Sequence, residues 1–96
     1  MNKVLAYIDV GKSEGAKLIL GGNRIAVKSS IDGSSLEGYY IEPTIFDNVN
    51  SKHKVAQEEI FGPVLSVISF KDEAEAVQIA NETNFGLAAY VATQSL

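Results

Sequence analysis

Hydrophobic and polar positions divide the chain into alternating helical and extended stretches. Val4, Leu5 and Ile8, with Gly11 or Lys12, recur at helical spacing, and Gly15 supplies a helix stop. Gly11 and Gly15 each lower helix propensity by roughly 1 kcal/mol against alanine, so this helix is expected to depend on tertiary packing. Lys17–Leu20 reads as a short apolar strand closed by Gly21-Gly22. Residues 23–37 are mostly polar, with a turn signal at Asp32-Gly33-Ser34-Ser35 and a small hairpin as the reading for Ile25, Val27 and Ile31. Residues 39–46 are rich in aromatic and β-branched side chains and predict a strand. Pro43 has no backbone N–H, which makes that strand an edge or breaks it. Residues 47–57 are polar and predict a turn followed by a short helical turn.

Residues 64–70 form the clearest strand signal, mostly apolar and expected to be buried on both faces. Asp72, with Glu75 three residues later, matches an N-cap with its reciprocal acid. Ala76, Val77, Ile79 and Ala80 then share one helical face, and the helix is expected to end near Asn84. Residues 87–93 return as an apolar strand. Strand, helix and strand in this order predict a parallel pair with a right-handed crossover. The fold class is therefore α/β, in the order helix-strand-strand-strand-helix-strand.

Composition narrows the function classes. The 96 residues make at most one domain, expected to bury roughly two thirds of the unfolded surface. Hydrophobic content of 46% with 21% charged residues suits a globular chain. A net charge of −4 offers no basic footprint for nucleic acid or an anionic membrane. No apolar run approaches the ~20 residues of a membrane helix, and the N-terminal residues carry no secretion-type apolar region. A cytoplasmic protein is the default expectation. The lack of cysteine excludes a disulfide framework and a Cys-type zinc site.

Several other signals carry no chemistry. His53 is the sole histidine, with no second ligand for a metal, and is expected at the surface. Asn81-Glu82-Thr83 fits a glycosylation acceptor but falls in a predicted helix. Gly11 and Gly15 lie four apart in a polar helix, unlike a membrane dimer motif. There is no GxGxxG or P-loop pattern.

The most specific feature is Glu58-Glu59-Ile60-Phe61-Gly62-Pro63, placed immediately before the strand at 64–70. With its flanks it resembles the cofactor-facing segment of NAD(P)-dependent aldehyde dehydrogenases. The helix at 4–16 with the strand and Gly-Gly turn after it, the stretch Gly38-Tyr39-Tyr40-Ile41-Glu42-Pro43-Thr44-Ile45-Phe46, and Asn81-Glu82-Thr83-Asn84-Phe85-Gly86-Leu87-Ala88-Ala89 are similar to that family in the same order. Residues 23–37 match least.

The resemblance implies that residues 1–96 are part of a parallel three-layer catalytic domain. It implies that Glu59 holds the ribose beside the nicotinamide, a role for which a carboxylate suits because it can accept from both hydroxyls. Phe61, two residues on, falls on the same side as Glu59 if the segment is extended, and the resemblance puts it at the nicotinamide end. Ordinary core packing is the competing role for Phe61. Leu87, after the Phe-Gly turn, would approach the nicotinamide pocket, and a core leucine is an equal reading. Gly62 and Pro63 read as scaffold and Glu58 as a structural acid.

The implied cofactor is NAD or NADP, with NAD the default, and the chain alone is not expected to hold it stably. Family chemistry uses a cysteine thiolate to attack the aldehyde, hydride transfer to the nicotinamide, and hydrolysis of the thioester by glutamate-activated water. With no cysteine, the chain is expected to hold no catalytic residue, and to be inactive unless the rest of a dehydrogenase accompanies it. Three origins remain open: a piece of a dehydrogenase, a stand-alone interaction module, or a subunit completing a separate cysteine-bearing chain. Exposed strand edges and apolar faces predict self-association.

Overall fold

Val4, Ile8 and Gly11 form the buried stripe of the first helix, α1 (Asn2–Ser13), in the computed structural model, which describes residues 1–95. The helix closes with a left-handed Gly15: Ala16 N donates to Gly11 O at 3.1 Å and Gly15 N to Lys12 O at 3.2 Å. The chain continues through β1 (Lys17–Leu20), β2 (Val27–Lys28), β3 (Ser35–Leu36), β4 (Thr44–Asp47), α2 (Lys54–Gln57), β5 (Val64–Ser66) and α3 (Glu73–Ala80). The weak apolar signal around Val27 thus does fold as a hairpin, β2 against β3.

The main sheet has the order β1-β4-β5. β1 lies antiparallel to β4 with a register shift at Ile19, and β4 lies parallel to β5. The crossover between the parallel strands carries α2, so the fold is α/β. Phe46 of β4 is completely buried beneath α1, in a core with Val4, Ile8, Ala16, Val49 and Val55. A Cβ built on Gly11 would stand 2.8 Å from the Phe46 ring and 3.0 Å from a Val55 methyl. The helix sacrifices propensity at Gly11 and gains close approach to the central strand. Glu14 adds a second tie, accepting from Lys54 N at 3.0 Å, at the start of α2.

Several sequence expectations change. Residues 87–93 form no strand, so the expected parallel pair with 64–70 is absent. Strand formation needs an aligned partner edge, which an apolar pattern cannot supply. The parallel partner of β5 is β4 instead, and β5 is shorter than 64–70 and only half-buried. Pro43 does break the strand expected at 39–46, yet the part after it, β4, is central rather than an edge. α3 ends at Ala80 and has no buried residue.

The accessible surface is 7510 Å², where a compact chain of this mass would expose about 5,400 Å². About half of the unfolded surface is buried, short of the two thirds expected. The radius of gyration, 16.4 Å, exceeds the ~12 Å of a compact domain of this length. The excess is apolar in part: Ile19 and Leu65 are exposed on the sheet face opposite α1, with half-buried Ile45 between them.

Gly11→Ala is expected to destabilise the fold by about 1–3 kcal/mol through overpacking against Phe46, although helix propensity alone favours alanine. Urea denaturation should show a lower midpoint than wild type. A raised midpoint would mean that the Gly11–Phe46 approach does not constrain α1.

Candidate cofactor-facing site

The segment between α2 and β5 is fixed at alternate residues. Glu58 ends α2, its backbone N donating to Lys54 O at 2.9 Å, and turns extended at φ −112°, ψ 152°. The Glu58 carboxylate accepts a hydrogen bond from the Tyr7 hydroxyl of α1 at 3.0 Å. Ile60 packs against the buried core. Gly62 lies on α1 so closely that a Cβ there would stand 2.8 and 2.9 Å from the two Val4 methyls. Between these anchors, Glu59 and Phe61 project into solvent, Phe61 with 89% exposure.

Local bonds tighten the turn. Gly62 N donates to Ile60 O at 2.7 Å, and Val64 N to Gly62 O at 2.8 Å. Pro63 O then accepts from Thr44 N at 2.8 Å, which delivers the chain to β5 beside β4. Thr44 is itself buried: its hydroxyl donates to Glu42 O at 2.8 Å and accepts from Gly22 N at 2.9 Å. The Gly21-Gly22 turn, β4 and the site segment therefore meet at one threonine. Glu58 also acts on Tyr7. Its hydrogen bond first, then desolvation and its negative charge, hold the phenol above the ordinary tyrosine range, so the bonding proton stays on Tyr7.

The structure leaves Glu59 and Phe61 both exposed, on a segment that bends at residues 58, 62 and 63 rather than running as a regular strand. It does not bring Leu87 to them. Leu87 is fully exposed at 102%, in a stretch without helix or strand. The hydrogen bonds of residues 83–95, among the described residues, stay within that stretch. Glu59 is an exposed carboxylate, a group with the acceptor pair that a ribose requires. Tyr7 is the site residue that sequence reasoning missed. Its spacing from Val4 puts it one helical turn away on the same face, but nothing local to Tyr7 indicates Glu58 as its partner.

A second cleft lies between α3 and the turn after β4. Val49, Asn50, Ser51, Ile68 and Ser69 face Glu75, Gln78, Ile79 and Glu82 across it. Asp72 caps α3 by accepting from Glu75 N at 2.8 Å, while Glu75 reaches back to Lys71 N at 2.7 Å, one residue short of a full capping box. The Glu82 side chain is only 16% exposed, with one oxygen 3.5 Å from Lys52 Nζ. The Ser51 hydroxyl, followed by Gln78 and Lys52, holds this carboxyl below its ordinary range against desolvation. His53 is half-buried rather than a free surface residue, its Nδ1 accepting from Asn50 N at 3.1 Å. Among the described residues no cluster of potential metal ligands occurs, and no helix is long and apolar enough to cross a membrane.

Comparison with known proteins covers the whole chain. Residues 1–96 match the family described as the aldehyde dehydrogenase family. An aldehyde dehydrogenase of Paracoccus denitrificans is 53% identical over 89 residues, 93% of this chain and 16% of its own length. The crystal structure of HpcC from Thermus thermophilus superposes with a TM-score of 0.86 at 52% identity, over 99% of this chain and 18% of its own. A Mycobacterium tuberculosis aldehyde dehydrogenase complexed with NAD+ superposes at 0.72 with 43% identity, covering 85% of this chain and 16% of its own. The chain thus spans less than a fifth of the length of these relatives.

The lowered Glu82 pKa sets a pH dependence. A carboxyl whose folded value lies below its unfolded value adds stability above the unfolded pKa and loses it as pH falls through the folded one. Acid titration followed by NMR should move the signals of Glu82 and Ser51 together at a midpoint below 4.5, the ordinary value. Glu82→Gln should remove that dependence. A Glu82 midpoint at or above 4.5 would show that Ser51, Gln78 and Lys52 do not favour the ionised form.

Proposed function

The chain belongs to the aldehyde dehydrogenase family, and we propose that it forms one wall of the nicotinamide–ribose pocket of an enzyme that oxidises an aldehyde to a carboxylate. In this reading residues 1–96 are part of the catalytic domain. The observation that supports it is that Glu59 and Phe61 are both open to solvent on a segment tied to α1 and the core at Glu58, Ile60 and Gly62. Glu59 accepts the two ribose hydroxyls as charge-assisted hydrogen bonds. Phe61 lays an apolar face against the nicotinamide end and excludes water there. When bound, the nicotinamide supplies the hydride acceptor. The NAD+-bound relatives favour NAD over NADP.

Leu87 has a part only when residues 87–93 are drawn in beside a partner strand. The chain has no cysteine, so the thiolate that attacks the aldehyde belongs to other parts of the enzyme, and these residues alone perform no dehydrogenation and hold the cofactor weakly. The uncovered apolar face of Ile19, Ile45 and Leu65 and the free edge of β5 support docking with the remainder of such a chain.

In the complete enzyme Glu59→Gln should slow hydride transfer more than it weakens overall cofactor binding. The loss of a charge-assisted acceptor is worth about 1.5–3 kcal/mol, and the adenosine end still anchors the dinucleotide. Single-turnover kinetics decide the point; an unchanged hydride-transfer rate would make Glu59 a merely solvated acid. Alone in solution, the chain should cover its bare edges with a second copy. Light scattering across micromolar concentrations should give a mass that rises with concentration, and a monomer throughout would show that the exposed strands are adequately protected.

A further inference from the structure

We propose that Tyr7 is a positioning residue for the cofactor wall, acting through its hydrogen bond to Glu58 to set the direction in which Glu59 points. The inference rests on the ribose-binding reading of Glu59. It follows from how α1 meets the segment 58–62. Val4 and Tyr7 are one helical turn apart on the same face of α1. Val4 receives the backbone of Gly62, and the Tyr7 hydroxyl holds the carboxylate of Glu58 at 3.0 Å. The helix therefore grips the segment at both ends, with Ile60 seated on the core between them.

These three contacts flank the two exposed residues, Glu59 and Phe61, and limit how the backbone on either side of each can turn. Glu59 lies between the Glu58 and Ile60 anchors, and Phe61 between Ile60 and Gly62. The anchors at Ile60 and Gly62 are apolar contacts, and the backbone bonds that accompany them, Gly62 N to Ile60 O and Thr44 N to Pro63 O, lie beyond Glu59. The Tyr7–Glu58 bond is directional, and it sits on the residue adjoining Glu59. Glu58 is held on its backbone side as well, where its N–H closes α2 at 2.9 Å. Without the hydroxyl, the Glu58 side chain is released to solvent, and the stretch around Glu59 keeps only the backbone closure of α2 before it and the Ile60 contact after it. Nicotinamide placement is sensitive to such shifts, since a misplacement near 1 Å can cost about 100-fold in rate.

The test is a mutant cycle in the complete enzyme with Tyr7→Phe, Glu59→Gln and the double variant. Tyr7→Phe keeps the ring and removes only the hydroxyl. It should slow single-turnover hydride transfer by about 3- to 10-fold, the loss expected for one hydrogen bond at the surface. In the Glu59→Gln background the same change should have almost no further effect, because Tyr7 acts through Glu59. Glu58→Ala should match Tyr7→Phe, and Glu58→Gln, which keeps an acceptor, should recover most of the rate. Hydrogen exchange of residues 58–62 without cofactor gives a readout independent of turnover, and Tyr7→Phe should speed it while leaving α3 unchanged.

Equal slowing by Tyr7→Phe in both backgrounds would overturn the proposal, as would wild-type exchange and rate in Tyr7→Phe beside a slow Glu59→Gln enzyme. If Glu59→Gln itself transfers hydride at the wild-type rate, the ribose reading fails, and the positioning role fails with it.

Discussion

The approach of α1 to the Phe46 ring at Gly11 is the constraint on which the rest of the molecule depends. Phe46 sits on the central strand and is wholly buried, so its ring decides how near the helix can come. With hydrogen as the side chain at Gly11, the helix lies low enough for Val4 and Ile8 to enter the core. The same height puts Val4 under Gly62 and Tyr7 within hydrogen-bond reach of Glu58. A larger group at Gly11 would lift the helix from β4 and from the site segment together. Core packing and site geometry are one contact surface here.

Thr44 performs the matching task on the strand side. Buried and bonded to both Glu42 O and Gly22 N, it aligns the Gly-Gly turn with the start of β4, and its N–H fixes Pro63. The site segment is thus held by the helix behind it and by the central strand at its end. In contrast, Ile19 and Leu65 on the far face of the sheet and residues 87–93 are exposed. A chain that buries only about half of its unfolded surface has strands and helices suited to a larger packing arrangement than it contains.

Local chemistry in the sequence was enough to find α1, β1, the short α2 turn and the Asp72 cap, because each is decided by neighbours within a few residues. Gly11 was legible only as a cost to helix propensity; its value lies in Phe46, far along the chain. Residues 87–93 look like a strand because they are apolar, but pairing is settled by a partner edge that is not a local property. Alternation would put Glu59 and Phe61 on one side of an extended segment, but the bends at residues 58, 62 and 63 are set by contacts with α1 and β4 that no local pattern shows. Leu87 followed from resemblance alone, and here it is fully exposed. The Tyr7–Glu58 bond joins two residues that have nothing in common in sequence, so it could be seen only after folding.

The most direct measurement is a crystal structure of the complete enzyme with NAD bound. Both Glu59 carboxylate oxygens should lie about 2.6–3.2 Å from the hydroxyls of the nicotinamide ribose, with Phe61 against the ring end and the Tyr7–Glu58 bond intact. A Glu59 side chain directed into solvent, with the ribose held by residues outside 58–62, would contradict the account.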